Sequence, residues 1–234
     1  AGISVGMLVG GAAGALLGEL VGWRSAFGAA LALSVLAFVT QLVYLPHLRV
    51  EQRVKARDLM GILTTANGRI GFIAMLFVFG GQFATYTYVT PFLAQVSGFD
   101  GKVISLLLLG YTGIGLLGTF LGGAAAGRNV KRALAATMIF FIVPVLFLPV
   151  VGDVPAAVIA LLAVWGMAYG AMPVALQMWM VAAAPNASEA AMALFVANAQ
   201  VSIAAGSFIG GLVVDHQGLS AAMYFGAGAG TVGL

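Results

Sequence analysis

The sequence has little charge, few histidines and no cysteine. Only 7% of its 234 residues are Asp, Glu, Lys or Arg, while 62% are hydrophobic and the mean hydropathy is +1.09. A soluble domain carries about 25% charged residues, and even a well-filled core could not hide this much apolar surface. With two His, no Cys and no grouping of His with Asp or Glu, the chain lacks the nucleophile, acid–base pair or metal cluster that a membrane enzyme needs. Neither a metal nor a cofactor is expected. The missing cysteines leave the redox compartment open, since membrane spans need no disulfides. A secretory signal is also missing: no basic stretch with a cleavage site precedes the first apolar run. The chain starts at Ala1 rather than Met and stops at Leu234 within an apolar run, so a fragment is expected, its ends falling inside or beside helices.

Long uncharged runs make up most of the sequence. A bilayer core takes about 20 apolar residues per helix. Residues 25–46, 70–99, 103–127, 133–152, 154–188 and 190–214 contain no charge, and two further runs, 1–18 and 217–234, are cut by the chain ends. Eight spans force the loops to alternate sides. Arg49, Arg53, Lys55, Arg57 and Arg69 fall in the second loop and Arg128, Lys131 and Arg132 in the fourth, against Arg24 and Lys102 in odd loops. The positive-inside rule makes the even loops cytoplasmic. The pI of about 9.5 thus reflects topology, not nucleic acid, because a nucleic-acid patch would not respect loop parity. The polar segment 47–69 divides two spans (1–46) from six (70–234). Val50, Val54, Leu59, Ile62 and Leu63 lie in it at loosely helical spacing, which suits either a short interfacial helix or an irregular loop.

Helices in lipid associate where small residues let backbones approach. The first span carries Gly6, Gly10, Gly14, Gly18 and Gly22, each four apart, on one helix face. The fourth has Gly110, Gly118 and Gly122 on one stripe and Gly115, Thr119, Gly123 and Gly127 on the next; the seventh has Ser202, Gly206 and Gly210. The fifth span has no glycine over 133–151, and the second has only Gly28 near its start. Spans one, four and seven are therefore expected between helices, and spans two and five against lipid. A near-repeat agrees: Ala13-Gly14-x-x-x-Gly18-x-Leu20-Val21 matches Ala205-Gly206-x-x-x-Gly210-x-Leu212-Val213 six helices later. Such repeats typify secondary transporters.

Several motifs carry a family resemblance. Gly6-x-x-x-Gly10-Gly11-x-x-Gly14-Ala15 resembles the antiporter motif G-x-x-x-G-P-x-x-G-G, with Gly11 in place of Pro and Ala15 in place of Gly. Gly22-Trp23-Arg24-Ser25-Ala26-Phe27 resembles the segment that follows that motif. The run from Gln82 to Leu93 is similar to a seventh helix. Gly123-x-x-x-Gly127-Arg128-x-x-Lys131-Arg132 resembles the loop motif G-x-x-x-D-R-x-G-R-R, with Gly127 in place of its acid, and the Ala184–Glu189 segment followed by Asn198 resembles the start of an eleventh helix. Together these residues resemble the major facilitator superfamily, in its bacterial twelve-helix drug:proton antiporter branch. The resemblance implies an all-α membrane protein of two six-helix halves, with the chain running from helix five into helix twelve. It would then hold an incomplete N-terminal half, a cytoplasmic linker and a near-complete C-terminal half. It also implies proton-driven export of drugs, sugars or purine-like compounds from a monomer in the bacterial inner membrane. A nutrient importer of the same superfamily is the alternative within transport, and a non-transporting receptor or scaffold the alternative outside it.

A transporter must present polar groups at mid-membrane, where they are costly unless satisfied. In the third span Gln82, Tyr86 and Thr90 fall four apart, with Thr85 and Tyr88 beside them. These are read as a substrate-binding face, against the alternative that they bond neighbouring helices. Pro91 is read as a bend or gate. Trp165 and Tyr169 share a face of the sixth span, ahead of Pro173, Gln177 and Trp179; aromatic surfaces suit amphipathic or cationic organic solutes. Trp179 reads better as an interfacial anchor. Asn198 and the fourth span's Tyr111 complete the candidate set, with Asn198 expected to bond another helix. Gly6, Gly10, Gly14, Gly18, Gly123, Arg128, Lys131 and Arg132 are the gating and motif positions. Asn186 with Glu189 reads as a capping box, and Asp153 as a second cap. No carboxylate or His lies at mid-span, so neutral cargo is favoured.

Overall fold

The computed structural model describes Gly10, Leu17 and residues 21–44 and 55–234; among these, all regular structure is helical. The chain divides into two compact units, Gly2–Arg53 and Val54–Leu234. Of the first-span glycines, Gly6, Gly14 and Gly18 lie outside the described residues, and with them the first copy of the near-repeat.

The first unit contributes α1 (Trp23–Tyr44), whose length and hydropathy fit a membrane span. The Ser25 hydroxyl donates to the Gly22 carbonyl at its start. Arg24 sits over the Trp23 ring, 5.2 Å from its centroid, and Phe27 meets Trp23 edge-on at 6.0 Å. No α1 side chain is buried.

The second unit holds α2 (Ala56–Thr64), α3 (Ala66–Tyr86), α4 (Val89–Gln95), α5 (Gly101–Arg128), α6 (Val130–Phe147), α7 (Pro155–Ala183), α8 (Ser188–Gln217) and α9 (Leu219–Gly233). Counting α3 and α4 as one, five of these helices reach the length and hydropathy of a span, in register with the five charge-free runs from 70 to 214. The starts of α2, α3, α5 and α6 follow from local chemistry. The Asp58 carboxylate accepts the Lys55 N–H at 2.9 Å, and Thr65 Oγ1 accepts from Gly68 N at 3.1 Å. Asp100 and Asn129 do the same for Val103 and Arg132, at 2.9 and 3.0 Å, supplying acceptors to N–H groups that have no intrahelical partner.

Two expected caps are not formed. The N-cap of α8 is Ala187, with no side-chain bond. Its first helical residue is Ser188, so Glu189 falls one place short of the position from which it could reach back to Asn186. Likewise α7 is preceded by Val154 without a side-chain cap, and Pro155 is its first residue. Proline there has no N–H to satisfy, which removes the need for Asp153. Residues 56–64 are helical rather than an irregular loop. Ile62 is buried among Met180, Ala184, Ala190 and Ala191 where α7 ends and α8 begins.

In the core α5 packs on α7, α3 on α8 and α9, and α6 on α7 and α9. Gly218 makes the α8–α9 corner at φ +89°, a conformation that costs a residue with a side chain. The expected split between glycine-rich buried spans and glycine-free exposed ones does not hold in this unit. Glycine-free α6 buries Met138, Phe141, Val145 and the following Leu148, while α5 and α8 leave Leu106, Leu117, Phe120, Val201 and Phe208 exposed. Small residues permit one close backbone contact per face; long apolar side chains fill wider gaps equally well.

Candidate functional site

Close packing of α5 on α7 sets the site's geometry. A Cβ on Gly118 would overlap the Met167 carbonyl, and one on Gly170 the Gly115 carbonyl; Gly122 abuts Ala171 and Gly166 abuts the Tyr111 carbonyl. The Thr119 hydroxyl also donates to the Gly170 carbonyl at 3.2 Å. The buried face of α5 therefore runs Tyr111, Gly115, Gly118, Gly122 and Ala126, in steps of four, three, four and four. Neither sequence-read stripe is the whole seam: Gly110 of one and Gly127 of the other face open space, and Gly123 meets only a Val174 methyl at 3.6 Å. Helical phase drifts when every step is four, so a straight seam mixes threes and fours.

At the end of this seam four rings gather from three helices. Tyr86 (α3) stacks on Tyr169 (α7) at 5.6 Å and 8°, and on Tyr111 (α5) at 5.4 Å and 27°. Tyr111 lies 5.5 Å from Tyr169. Trp165, one turn before Tyr169, stands edge-on to Tyr111 at 5.4 Å and 79°. Gln82, one turn before Tyr86, ties them together. Its oxygen accepts the Trp165 indole N–H at 2.7 Å, and its NH2 donates to the Tyr111 hydroxyl at 3.1 Å. Gln82 and Trp165 are fully buried and Tyr111 nearly so, while Tyr86 and Tyr169 are half-buried. Phe83 adds an edge-on ring 6.3 Å from Tyr86. The cluster thus presents a flat aromatic face held by buried, mutually satisfied polar groups. Offset and edge-on ring pairs are the favoured aromatic geometries.

The remaining candidates lie elsewhere. Thr85, fully buried, returns its hydroxyl to the Gln82 carbonyl at 2.8 Å, and its methyl abuts Gly226 of α9. The Tyr88 hydroxyl donates to the Ser207 carbonyl at 3.0 Å, tying the α3–α4 break to α8. Thr90 is exposed. Gln177 reaches the Met192 sulfur at 3.4 Å. Asn198 donates to the Phe72 carbonyl at 2.8 Å and accepts from the Ser202 hydroxyl at 2.9 Å, the interhelical role expected of it. The Trp179 indole, read from the sequence as an interfacial anchor, donates to the Asn67 carbonyl at 3.1 Å and lies against Gly71. The helix interruption falls at Thr87–Tyr88, just before Pro91, which cannot return an N–H to the preceding turn. Arg128, Lys131 and Arg132 are exposed at the α5–α6 corner, where Asn129 does the capping. Among the described residues no group of three or more His, Cys, Asp or Glu could hold a metal.

Spacing put Tyr111 in the candidate set without showing that it is the ring on which the cluster converges, and it missed one feature. Asn129 carried a cap signal, an Asn directly before an apolar helix, that the neighbouring basic motif obscured.

The model of the Major Facilitator Superfamily matches residues 1–186 and again 70–234. The chain is 35% identical over 92% of its length to "Transcription regulatory protein OpdE" of Pseudomonas aeruginosa, covering 54% of that protein. It is 30% identical over 93% of its length to "Purine ribonucleoside efflux pump NepI" of Salmonella typhimurium, covering 55%. It is also 30% identical over its whole length to "Probable sugar efflux transporter" of Helicobacter pylori, covering 59%. The chain thus spans somewhat more than half the length of these curated relatives. Helices fit to cross a membrane, and a family match that extends over the whole sequence, make this a multi-pass membrane protein that belongs to the major facilitator superfamily.

Proposed function

We propose that this chain forms part of a secondary transporter that exports small neutral organic molecules from bacteria by alternating access, driven by protons across the inner membrane. The aromatic face built by Tyr86, Tyr111 and Tyr169 from three different helices carries the reading. A planar or partly apolar solute can stack there, and helices that rock against a partner half would cover or uncover it. The half-buried Tyr86 and Tyr169 are the contact residues. Gln177 and Asn198 stay in the proposal as further polar groups on α7 and α8, although each already bonds another helix. The printed names of two relatives, a purine ribonucleoside efflux pump and a probable sugar efflux transporter, support export and suggest inosine and lactose as first solutes. Proton drive is supported by the resemblance to the antiporter branch.

The test uses everted membrane vesicles from cells making the full-length protein. Uptake of inosine or lactose that needs an imposed pH gradient, and that falls about tenfold in Tyr86→Ala and Tyr169→Ala as each loses one stacking surface, is the expected result. Uptake indifferent to the gradient would remove proton drive. No uptake of either solute would count against export.

A further inference from the structure

Gln82 spends both ends of its carboxamide on side chains of two other helices. An indole N–H donates and cannot accept. The 2.7 Å bond from Trp165 therefore holds the Gln82 oxygen toward α7, which leaves the NH2 group facing the Tyr111 hydroxyl oxygen. A flipped amide would set its NH2 group against the indole N–H and lose the Trp165 bond, even though the Tyr111 hydroxyl could then donate to its oxygen. The chain has one direction, from Trp165 through Gln82 to Tyr111. Its neighbours do otherwise: Thr85 returns to its own helix backbone and Asn198 bonds a backbone carbonyl. The rings a solute can reach, Tyr86 and Tyr169, are distinct from the fully buried groups, Gln82 and Trp165, that fix Tyr111 beneath them.

We propose that Gln82 is a positioning residue for substrate affinity: it does not meet the solute, but its one-way hydrogen-bond chain holds the Tyr111 ring on which the Tyr86–Tyr169 face is aligned. This rests on the transport reading above. Gln82→Leu removes both bonds. Gln82→Glu keeps an acceptor for Trp165 but offers Tyr111 no donor, so that hydroxyl must turn its own proton toward residue 82.

The experiment measures initial rates of inosine uptake in everted vesicles containing the full-length protein. Gln82→Leu is expected to raise KM about tenfold, with Vmax per folded transporter within about twofold. Tyr111→Phe is expected to do the same, and the double variant to exceed neither single one, because both cut one chain. Trp165 emission, read with every other tryptophan (Trp23 and Trp179 among them) replaced by Phe, is expected to change in Gln82→Leu and to stay native in Gln82→Glu. Should Gln82→Leu fail to accumulate, a raised KM in a Tyr111→Phe protein with native thermal stability serves the same purpose, while Gln82→Glu, which keeps both bonds once the hydroxyl turns, is expected to hold its KM near native. An unchanged KM in Gln82→Leu and Tyr111→Phe alongside a raised KM in Tyr169→Ala would overturn the positioning role and leave transport standing. An unchanged KM in all of them, or a native protein that takes up no inosine, would overturn both.

Discussion

Single residues here act through what they touch, and two glycines of one helix show how sharply that differs. A methyl group on Gly118 would meet the Met167 backbone, whereas one on Gly110 meets nothing within 4 Å. Gly118→Ala is expected to cost about 1–3 kcal/mol, since backbone cannot give way as a side chain can. Gly110→Ala should be neutral or slightly stabilising, because alanine is the better helix former. Thermal unfolding of the purified proteins separates them; equal melting temperatures would contradict the α5–α7 seam. Asn198→Leu breaks the bond to the Phe72 carbonyl and should cost about 0.6–2 kcal/mol, the range for interhelical hydrogen bonds in membranes. Retained stability in that variant would show the bond to be dispensable.

At the scale of the element, the break between α3 and α4 depends on a second helix. Two hydroxyls hold it to α8, Tyr88 to the Ser207 carbonyl at 3.0 Å and Thr87 to the Ser207 hydroxyl at 2.9 Å. Tyr88→Phe should leave α3 intact and loosen only the segment after it. Hydrogen exchange is expected to speed up across Val89–Gln95 and to stay native across Ala66–Tyr86; uniform acceleration would mean that the two helices behave as one. This break was half legible in the sequence. Pro91 announced an interruption, but proline frees a carbonyl in the preceding turn, so the irregular residues lie three to four places before it. Helix facing was less legible still. Spans apolar on all sides carry no amphipathic phase, so α6, without glycine, read as lipid-facing although Phe141 and Val145 are wholly buried.

For the whole molecule the testable statement is orientation. Loop parity puts the α5–α6 corner in the cytoplasm and the α6–α7 corner outside, and both Asn129 and Asp153 are exposed. These 234 residues contain no cysteine, so single cysteines are added to a full-length protein in which any cysteine elsewhere has been replaced. In intact spheroplasts a membrane-impermeant thiol reagent is expected to label Asp153→Cys and to spare Asn129→Cys; the reverse pattern would invert the topology.

Absence of charge determined by itself that this chain spans a bilayer, because no other solvent tolerates so much apolar surface. The clustering of Lys and Arg in alternate loops added an expected orientation, and the polar run on one span picked out Gln82 and Tyr86. These are properties of one helix at a time. Tertiary structure alone decided which glycines form the seam, that isolated Tyr111 sits at the centre of the rings, and that Gln82 is sealed between Trp165 and Tyr111. Each of these depends on the rotation of one helix against another, which periodicity within a uniformly apolar span does not encode.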